Sequence, residues 1–247
     1  GTPISDGPFR NGSMYLTYTN EGMPIGAFWG YKTDGLIQTQ EQLNAVKRAD
    51  FQPNAELGDV LFVDTNGDGK LDSSDRCMIG NPIPDIIYGI NMGMAWKGFD
   101  LNLQFGGTIG NQIFNAMRYY TYFPNDITNK DRALMNYWTP NNTNTDIPRL
   151  TATDVNDNDR FSDMYVENGT YFRLRNAQLG YTLPASLTQR IKLQKVRFYV
   201  SGQNLFTISS YSGMDPEVGQ SSSLSRGIDY GIYPQNISFT GGINVTF

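Results

Sequence analysis

Histidine is absent from the 247 residues of this sequence, and cysteine occurs only once, as Cys77. The absence of histidine excludes His-ligated zinc sites, Ser-His-Asp and Cys-His catalysis, and acid-base chemistry by imidazole. A single cysteine cannot form a disulfide within the chain. The sequence also lacks any run of about 18 apolar residues, so it predicts no transmembrane helix. An enzyme made from this chain would have to work with carboxylates, lysine, tyrosine or a metal held by oxygen.

Charged residues are scarce as well, at 17% of the sequence, whereas soluble domains carry about 25%. The 24 acidic and 19 basic residues leave a net charge of −5, which argues against a general nucleic-acid binder. Aromatic residues are abundant instead, at 13%, and there are 26 glycines. Apolar residues still make up 39%, so the chain has enough of them to fold rather than stay disordered. This is not the composition of a helical bundle.

Five segments of roughly ten residues alternate between apolar side chains and small or polar ones, the pattern of β-strands with two unlike faces. In residues 86–96, isoleucine, tyrosine, methionine and tryptophan occupy one face, and mostly glycine, asparagine and alanine occupy the other. The alternation changes phase near Asn176, which indicates either a β-bulge or a strand that leaves the membrane for an extracellular wall. The predicted strands are 86–96, 99–105, 170–182, 195–207 and 237–247.

The connections between these strands alternate in length. Residues 97–98 and 183–194 are short, whereas residues 109–165 and 209–235 are long. Membrane β-barrels show this asymmetry, with short periplasmic turns, long extracellular loops, an apolar face for lipid and a polar face for the lumen. The sequence therefore favours an all-β transmembrane barrel. A soluble β-sandwich also alternates and stays the alternative, although soluble strands average only about five or six residues.

An acidic, glycine-rich loop at residues 64–75 carries the strongest chemical motif. Asp64, Asn66 and Asp68 stand at positions 1, 3 and 5 of a calcium loop, and Gly69 at position 6 allows the sharp turn. Position 12 is aspartate, where EF-hands usually have the longer glutamate. A structural Ca²⁺ is the prediction, and a metal-free Asp/Asn/Gly turn is the alternative. The predicted ligands are Asp64, Asn66, Asp68, Lys70 through its carbonyl, Asp72 and Asp75.

Several motifs together carry a resemblance to one family. Those in the first part are Gly22-x-Pro24-Ile25-Gly26-x-Phe28-x-Gly30-Tyr31-x-x-Asp34-Gly35, Gly58-Asp59-Val60, the loop 64–75 and Ile79-Gly80-Asn81-Pro82-x-Pro84-Asp85. Those in the second part are Tyr137-Trp138-Thr139-Pro140, Tyr171-x-Arg173-Leu174-x-Asn176-x-x-Leu179-Gly180-Tyr181-Thr182-Leu183-Pro184, Val200-Ser201-Gly202-Gln203-Asn204-Leu205-Phe206, Tyr211-Ser212-Gly213-x-Asp215-Pro216-Glu217 and Gly227-Ile228-Asp229-Tyr230-Gly231-x-Tyr233-Pro234. The chain resembles the C-terminal region of SusC/RagA-type TonB-dependent outer-membrane transporters.

The resemblance implies a fold and an organisation. Such transporters have an N-terminal plug and a 22-stranded antiparallel barrel, so this chain is expected to be the C-terminal portion of a longer polypeptide without its plug. Residues 1–85 are then an extracellular loop region containing the calcium-type loop. Residues 86–247 are then barrel strands that contact outer-membrane lipid, joined by extracellular loops with short helices, such as those predicted at 111–122 and 129–138.

The resemblance also implies a function. Family members import oligosaccharides or oligopeptides across the outer membrane of Gram-negative bacteria, energised by TonB and capped by a SusD-like surface lipoprotein. Aromatic loop residues can stack on sugar rings, or they can pack the loop against itself or the lid. The candidates for substrate binding are Tyr119, Tyr120, Tyr122 and Trp138. The asparagines and aspartates of residues 141–158 are expected to face solvent.

Two rival classes compete with the importer. One is a soluble, calcium-stabilised, glycan-binding β-sandwich, which would pack its apolar strand faces in a core. The other is a glycoside hydrolase, which needs two carboxylates about 5–10 Å apart. The carboxylates available beyond the first loops show no fixed pairing, so no enzymatic activity is predicted. These carboxylates are Glu167, Glu217, Asp163, Asp215 and Asp229.

Overall fold

A computed structural model describes residues 2–9, 14–122, 129–219 and 222–247, and β-strands dominate these residues. The strands are β1 (Ile4–Phe9), β2 (Met14–Thr19), β3 (Ala27–Gly30), β4 (Thr33–Leu36), β5 (Val60–Phe62), β6 (Cys77–Gly80), β7 (Ile86–Trp96), β8 (Phe99–Ile109), β9 (Gln112–Asn115), β10 (Val166–Asn168), β11 (Tyr171–Thr182), β12 (Lys195–Ser209), β13 (Ile228–Asp229) and β14 (Ser238–Thr246). The α-helices are α1 (Gln40–Arg48), α2 (Ala116–Tyr122) and α3 (Ala185–Thr188). Short 3₁₀ turns lie at Ser73–Asp75, Arg132–Asn136, Asp163–Tyr165, Gln189–Ile191 and Ser223–Ser225.

The chain divides into two compact units, each assembled from three segments. Residues 1–83, 112–168 and 217–232 form one, named here the core unit. Residues 84–111, 169–216 and 233–247 form the other, named here the sheet unit. The assignment of residues 1–85 to an extracellular region stays a prediction.

The sheet unit is one antiparallel sheet in which the strands neighbour one another in chain order, as β7, β8, β11, β12 and β14. These are the five strands that the alternation predicts, and the all-β prediction is confirmed. The hairpin between β7 and β8 closes at the pair Trp96 and Phe99. Its two turn residues, Lys97 and Gly98, both have positive φ, as tight hairpin turns matched to strand twist require.

The phase change predicted near Asn176 corresponds to a register shift between Leu174 and Asn176 in the pairing of β11 with both neighbours. Arg175 is the extra residue of β11 relative to β8. The shift agrees with a bulge, and it lets the two faces of the strands keep their character across the irregularity.

The two faces of this sheet have opposite character. On one face the cross-strand rows are apolar, and most of their large side chains are exposed or half-exposed, for example Trp96 at 70% and Val200 at 60%. The other face carries mainly amides, hydroxyls and glycines, in rows such as Asn91, Gln104, Asn176 and Gln203. A sheet of this kind has no apolar core within its own described residues.

One ion pair crosses a whole strand on the polar face. Arg197 of β12 donates from Nε to Asp100 Oδ1 of β8 at 2.9 Å, although β11 lies between these strands. Gly180 of β11 lies beneath the pair, and a Cβ there would come within 2.5 Å of Asp100 Oδ1. Glycine is therefore needed at this position because the two side chains occupy its side-chain space.

The core unit buries its aromatic and aliphatic side chains. Its sheets are small: β1-β2-β3-β6, β10-β9-β13 and β4-β5. The largest cluster surrounds Phe28 and Phe114, and the ring of Phe114 stacks on Phe161 at 4.2 Å between centroids. Helix α1 begins after Thr39, which forms a reciprocal capping box with Gln42.

The long connection differs in detail from its prediction. Residues 111–122 begin with strand β9 before helix α2, and only Arg132–Asn136 of residues 129–138 are helical, as a 3₁₀ turn. Strand β9 pairs with β10 and β13, which are distant in sequence, so local patterning could not reveal it. No helix in the described part of the chain is both long and apolar enough to cross a membrane.

Candidate functional site

The acidic loop follows β5 and is closed by hydrogen bonds from its own backbone. Asp64 accepts the Gly67 amide at Oδ1, 2.7 Å away, and the Gly69 amide at Oδ2, 2.9 Å away. Both glycines have a φ of +77°, which glycine adopts without steric cost. Asp64 therefore gathers the first half of the loop around its carboxylate.

Asp75 closes the second half and is fully buried. Its Oδ1 accepts the Thr65 amide and its Oδ2 accepts the Asp72 amide, both at 3.0 Å. Asp72 in turn accepts the Ser74 amide at 2.7 Å and caps the 3₁₀ turn. The residue at position 12 thus links both ends of the loop through the backbone.

The loop offers oxygen donors of the type that Ca²⁺ prefers. The Gly69 amide lowers the pKa of Asp64, and the Ser74 amide lowers the pKa of Asp72, so both carboxylates are ionised at neutral pH. A carboxylate oxygen that accepts one N–H retains further acceptor capacity. No group of three Asp, Glu, Cys or His side chains among the described residues is arranged to hold a metal ion. Calcium binding at the predicted ligands therefore stays a prediction. The oxygen donors of the loop are of the chemical type that it requires.

The four aromatic candidates lie in two different clusters of the core unit. Tyr119 is buried against Tyr165, with 5.4 Å between ring centroids. Trp138 is buried in the other cluster, its Nε1 donates to Gln38 Oε1 at 2.8 Å, and its ring covers Gly58. Their role in substrate binding stays a prediction, and the structure gives these two rings packing partners.

The other two candidates, Tyr120 and Tyr122, are half-buried at the margin of the Tyr119 cluster. The guanidinium of Arg118 lies 4.9 Å from the ring centroid of Tyr122, within cation–π range. Burial raises the pKa of the Tyr122 hydroxyl. These two rings are the members of the set that still reach the surface.

A buried polar network in the core unit was not anticipated from the sequence. Asn158 accepts the Val60 amide at 2.8 Å and donates to Asp59 at 3.0 Å. Asn156 donates to Asn158 at 2.9 Å and accepts from Gln52 at 3.0 Å. The expectation that asparagines of residues 141–158 face solvent is wrong for these two, because their amides satisfy the backbone of β5.

Charged side chains border this network. Arg149 donates from Nε to Asp59 Oδ1 at 2.6 Å and also pairs with Glu56 at 3.0 Å. Burial raises the pKa of Asp154, with the charges of Asp59 and Asp157 adding to the effect. The asparagine-rich segment is thereby fixed onto the core unit rather than extended into solvent.

The carboxylates that a hydrolase would need have structural partners. Asp215 accepts from the buried Arg173 at 2.6 Å and from the Gln235 amide at 2.9 Å. Asp229 caps the amides of residues 231 and 232, Asp163 accepts from Thr33, and Glu167 accepts from Asn115. Four of the five carboxylates named in the sequence analysis are therefore engaged in structural contacts.

Long antiparallel strands with one exposed apolar face and one polar face are those of a transmembrane β-barrel wall, and this is the class that the sheet unit defines. No protein-family model matches the sequence. The sequence is 39% identical to TonB-dependent receptor P3 of Formosa agariphila over 237 residues, 92% of this chain and 22% of P3. It is 31% identical to receptor P26 of the same organism and 29% identical to TonB-dependent receptor SusC of Bacteroides thetaiotaomicron, over 92% and 80% of this chain.

Comparison with solved structures also finds a similar outer-membrane transporter. The fold matches the RagAB peptide transporter with a TM-score of 0.71 and 25% identity, over 94% of this chain and 24% of that chain. It matches the RagAB peptide importer in its open-open state with a TM-score of 0.70 and 26% identity, over 94% of this chain and 23% of that chain. The chain belongs to the TonB-dependent receptors of the SusC/RagA type, and it spans about a fifth of the curated relatives' length. The resemblance that the motifs carry is confirmed.

Proposed function

We propose that this chain forms part of the barrel wall and loops of an outer-membrane importer that takes up oligosaccharides or oligopeptides with energy from TonB. The observation that carries the proposal is the sheet unit, whose apolar rows are exposed while the opposite face is polar. Relatives named as TonB-dependent receptors and a solved peptide transporter support it. A soluble sandwich would hide the rows that this sheet exposes.

In this proposal the chain binds and guides, and it breaks no covalent bond. The apolar face of β7 to β14 contacts outer-membrane lipid, and the amide and hydroxyl face borders the lumen. That face carries few charges, and Arg197 and Asp100 neutralise one another there. A polar wall with few charges suits cargo with many hydroxyl or amide groups, because each can exchange hydrogen bonds with water for bonds to the wall.

We further propose a SusD-like surface lipoprotein and TonB as partners, the second acting through a part of the receptor outside this chain. Tyr119, Tyr120, Tyr122 and Trp138 are the proposed substrate contacts. Among them, Tyr120 and Tyr122 are best exposed for direct stacking. RagAB is described as a peptide transporter, and this favours testing peptide cargo beside glycans.

The importer is tested by deleting the gene for the full-length receptor and measuring uptake of fluorescent oligopeptides and oligosaccharides. We expect loss of uptake for one cargo class, restoration by the wild-type gene, and no restoration in a strain lacking TonB. Uptake that is unaffected by deletion, or that persists without TonB, would refute the importer. Recovery of the receptor in the soluble fraction without detergent would favour the sandwich.

The loop at residues 64–75 is proposed to bind Ca²⁺ through Asp64, Asn66, Asp68, the Lys70 carbonyl, Asp72 and Asp75. When bound, the ion would stiffen the loop by holding these oxygens together. Terbium luminescence of the intact receptor, sensitised by nearby aromatic residues and displaced by calcium, tests the site. Asp68→Ala should weaken binding, whereas Ser73→Ala, which removes no proposed ligand, should not. Equal signals from both variants would leave the loop as a metal-free turn.

A further inference from the structure

The charges of the sheet unit are concentrated at one end. The unit contains seven basic and three acidic residues, so its net charge is +4, whereas the whole chain carries −5. Two ion pairs, Arg173 with Asp215 and Arg197 with Asp100, are each neutral. Four of the five other basic residues lie in the two short turns of the sheet or directly after them. They are Lys97, Arg190, Lys192 and Lys195, named here the basic rim.

Hydrogen bonds hold the two short turns at the same end of the sheet. The Thr182 amide donates to the carbonyl of Gly98, in the first turn, at 2.7 Å. The second turn begins at Leu183, whose amide donates to the carbonyl of Val196 in β12 at 2.9 Å. Lys195 is the first residue of β12 and directly follows this turn. The four residues of the basic rim therefore come from neighbouring parts of one sheet end.

The side chains of the basic rim are all exposed. None of them forms an ion pair with a carboxylate in the part of the chain that the structure describes. Asp100, two residues beyond the first turn, is already engaged by Arg197. Like charges repel one another, so an anionic partner would stabilise this end of the sheet.

Aromatic side chains adjoin the basic rim on the apolar face. The Nζ atom of Lys97 lies 4.8 Å from the ring centroid of the exposed Trp96. The rings of Phe99 and Tyr181 follow, 4.5 Å apart between centroids. Tryptophan and tyrosine are enriched where a membrane meets water, at the level of the lipid headgroups. Lysine and arginine keep their charged ends in the polar layer beyond such rings.

We propose that the basic rim binds the phosphate-bearing headgroups of anionic phospholipids in the periplasmic leaflet. The inference rests on the proposed outer-membrane function, in which short turns lie on the periplasmic side. It goes further, because lipid contact of the apolar face does not select a headgroup. Ammonium and guanidinium groups form charge-assisted hydrogen bonds with phosphate oxygens, and an anionic membrane surface attracts basic residues close to it. The rim is also continuous with the face that is proposed to contact lipid.

Two variants with equal changes in net charge separate the basic rim from a general effect of charge. The rim variant combines Lys97→Asn, Arg190→Gln, Lys192→Asn and Lys195→Gln. Asparagine is chosen where the lysines have positive φ, at 47° and 58°, because it tolerates left-handed backbone. The control variant removes four exposed positive charges from the core unit, by Lys32→Gln, Lys47→Gln, Arg48→Gln and Arg226→Gln.

The experiment uses the full-length receptor in detergent, mixed with equal amounts of phosphatidylglycerol and phosphatidylcholine that carry the same acyl chains. Native mass spectrometry counts the molecules of each lipid that stay bound. We expect the wild type to retain several-fold more phosphatidylglycerol, the rim variant to retain both lipids equally, and the control variant to match the wild type. The preference should also decrease when ammonium acetate is raised from about 50 mM to about 500 mM, because salt screens exposed charges.

Three results would overturn the proposal. They are equal retention of both lipids by the wild type, a preference that the rim variant keeps, and a preference that both variants lose to the same extent. If the wild type showed no preference but bound the periplasmic domain of TonB through the basic rim, the rim would be a protein contact instead. Failure of the outer-membrane function is distinguishable, because the receptor would then stay soluble without detergent and would not float with vesicles of either lipid.

Discussion

Phe114 in the core unit and Val200 in the sheet unit are both apolar residues inside β-strands, yet Phe114 is fully buried and Val200 is 60% exposed. In the core unit, three small sheets surround aromatic clusters, and water is excluded by other parts of the same unit. In the sheet unit, a single long sheet keeps its large side chains on the surface. The same driving force, removal of apolar surface from water, therefore requires a packed interior in one region and a lipid environment in the other.

The comparison is tested most strongly by a cavity in the core unit. Phe114→Ala removes a ring that packs on Phe28 and Phe161, and such truncations cost about 3–5 kcal/mol. Val200→Ala, at an exposed position, should cost about 0.5 kcal/mol. Native-state hydrogen exchange of the full-length receptor in vesicles measures both. Similar losses for the two variants would contradict the distinction between the units.

A charge on the apolar face tests the membrane half of the comparison. Val200→Lys should destabilise the receptor by about 2–4 kcal/mol in lipid, the range for lysine near the bilayer midplane. Ser201→Lys places the same charge on the polar face and should be nearly neutral. Denaturant unfolding from vesicles provides the measurement. If both lysine variants behaved alike, the apolar face would not be in contact with lipid.

The buried polar network of the core unit gives the next effect. Asn158→Ala leaves the buried Val60 amide without its 2.8 Å acceptor, at a cost of about 1–3 kcal/mol. Asp157→Asn, at an exposed neighbour, should stay within about 0.5 kcal/mol. Proteolysis rates of the segment around β5 report the difference. If Asn158→Ala resisted proteolysis as well as the wild type does, the buried polar network would not contribute to the stability of the core unit.

The smallest effect concerns pH. Burial raises the pKa of Asp154 above its ordinary 3.8. The folded core unit therefore favours the protonated carboxyl of Asp154 more than the unfolded chain does. Stability from this group is fully present below pH 3.8 and decreases as pH rises through the folded pKa. Asp154→Asn should remove that decrease and make the core unit slightly more stable at neutral pH. Hydrogen exchange between pH 4 and 7 compares Asp154→Asn with the wild type. Parallel pH profiles of stability would contradict the assignment of this pH dependence to Asp154.

The strands of the sheet unit were predictable because alternation is a local signal that long strands repeat many times. Residues 86–96 are β7 as predicted, and β11 and β12 differ from their predictions by at most two residues. The core unit was less predictable because its sheets join segments far apart in the chain. The parallel pairing of β13 with β9 is one example, and the contact of Asn158 with Val60 is another.

The candidate sites also contain some features that the sequence reveals and others that only the folded chain reveals. The spacing of the acidic loop is visible in the sequence, and the structure adds that Asp75 is buried and bonded to Thr65 and Asp72. The aromatic residues are equally visible, but their burial depends on distant partners such as Gln38 beside Trp138. A sequence identifies donor atoms and rings, whereas their accessibility is decided by the folded chain.

The ion pair that crosses β11 has a consequence for how the barrel wall assembles. If β11 paired one residue out of register, every side chain would change faces, and Leu179 or Tyr181 would replace Gly180 beneath Arg197 and Asp100. Neither side chain leaves room for the two charged groups to meet. The pair can therefore close only after three strands have aligned correctly, so it distinguishes the native arrangement from its nearest misfolded competitors while the wall is still forming.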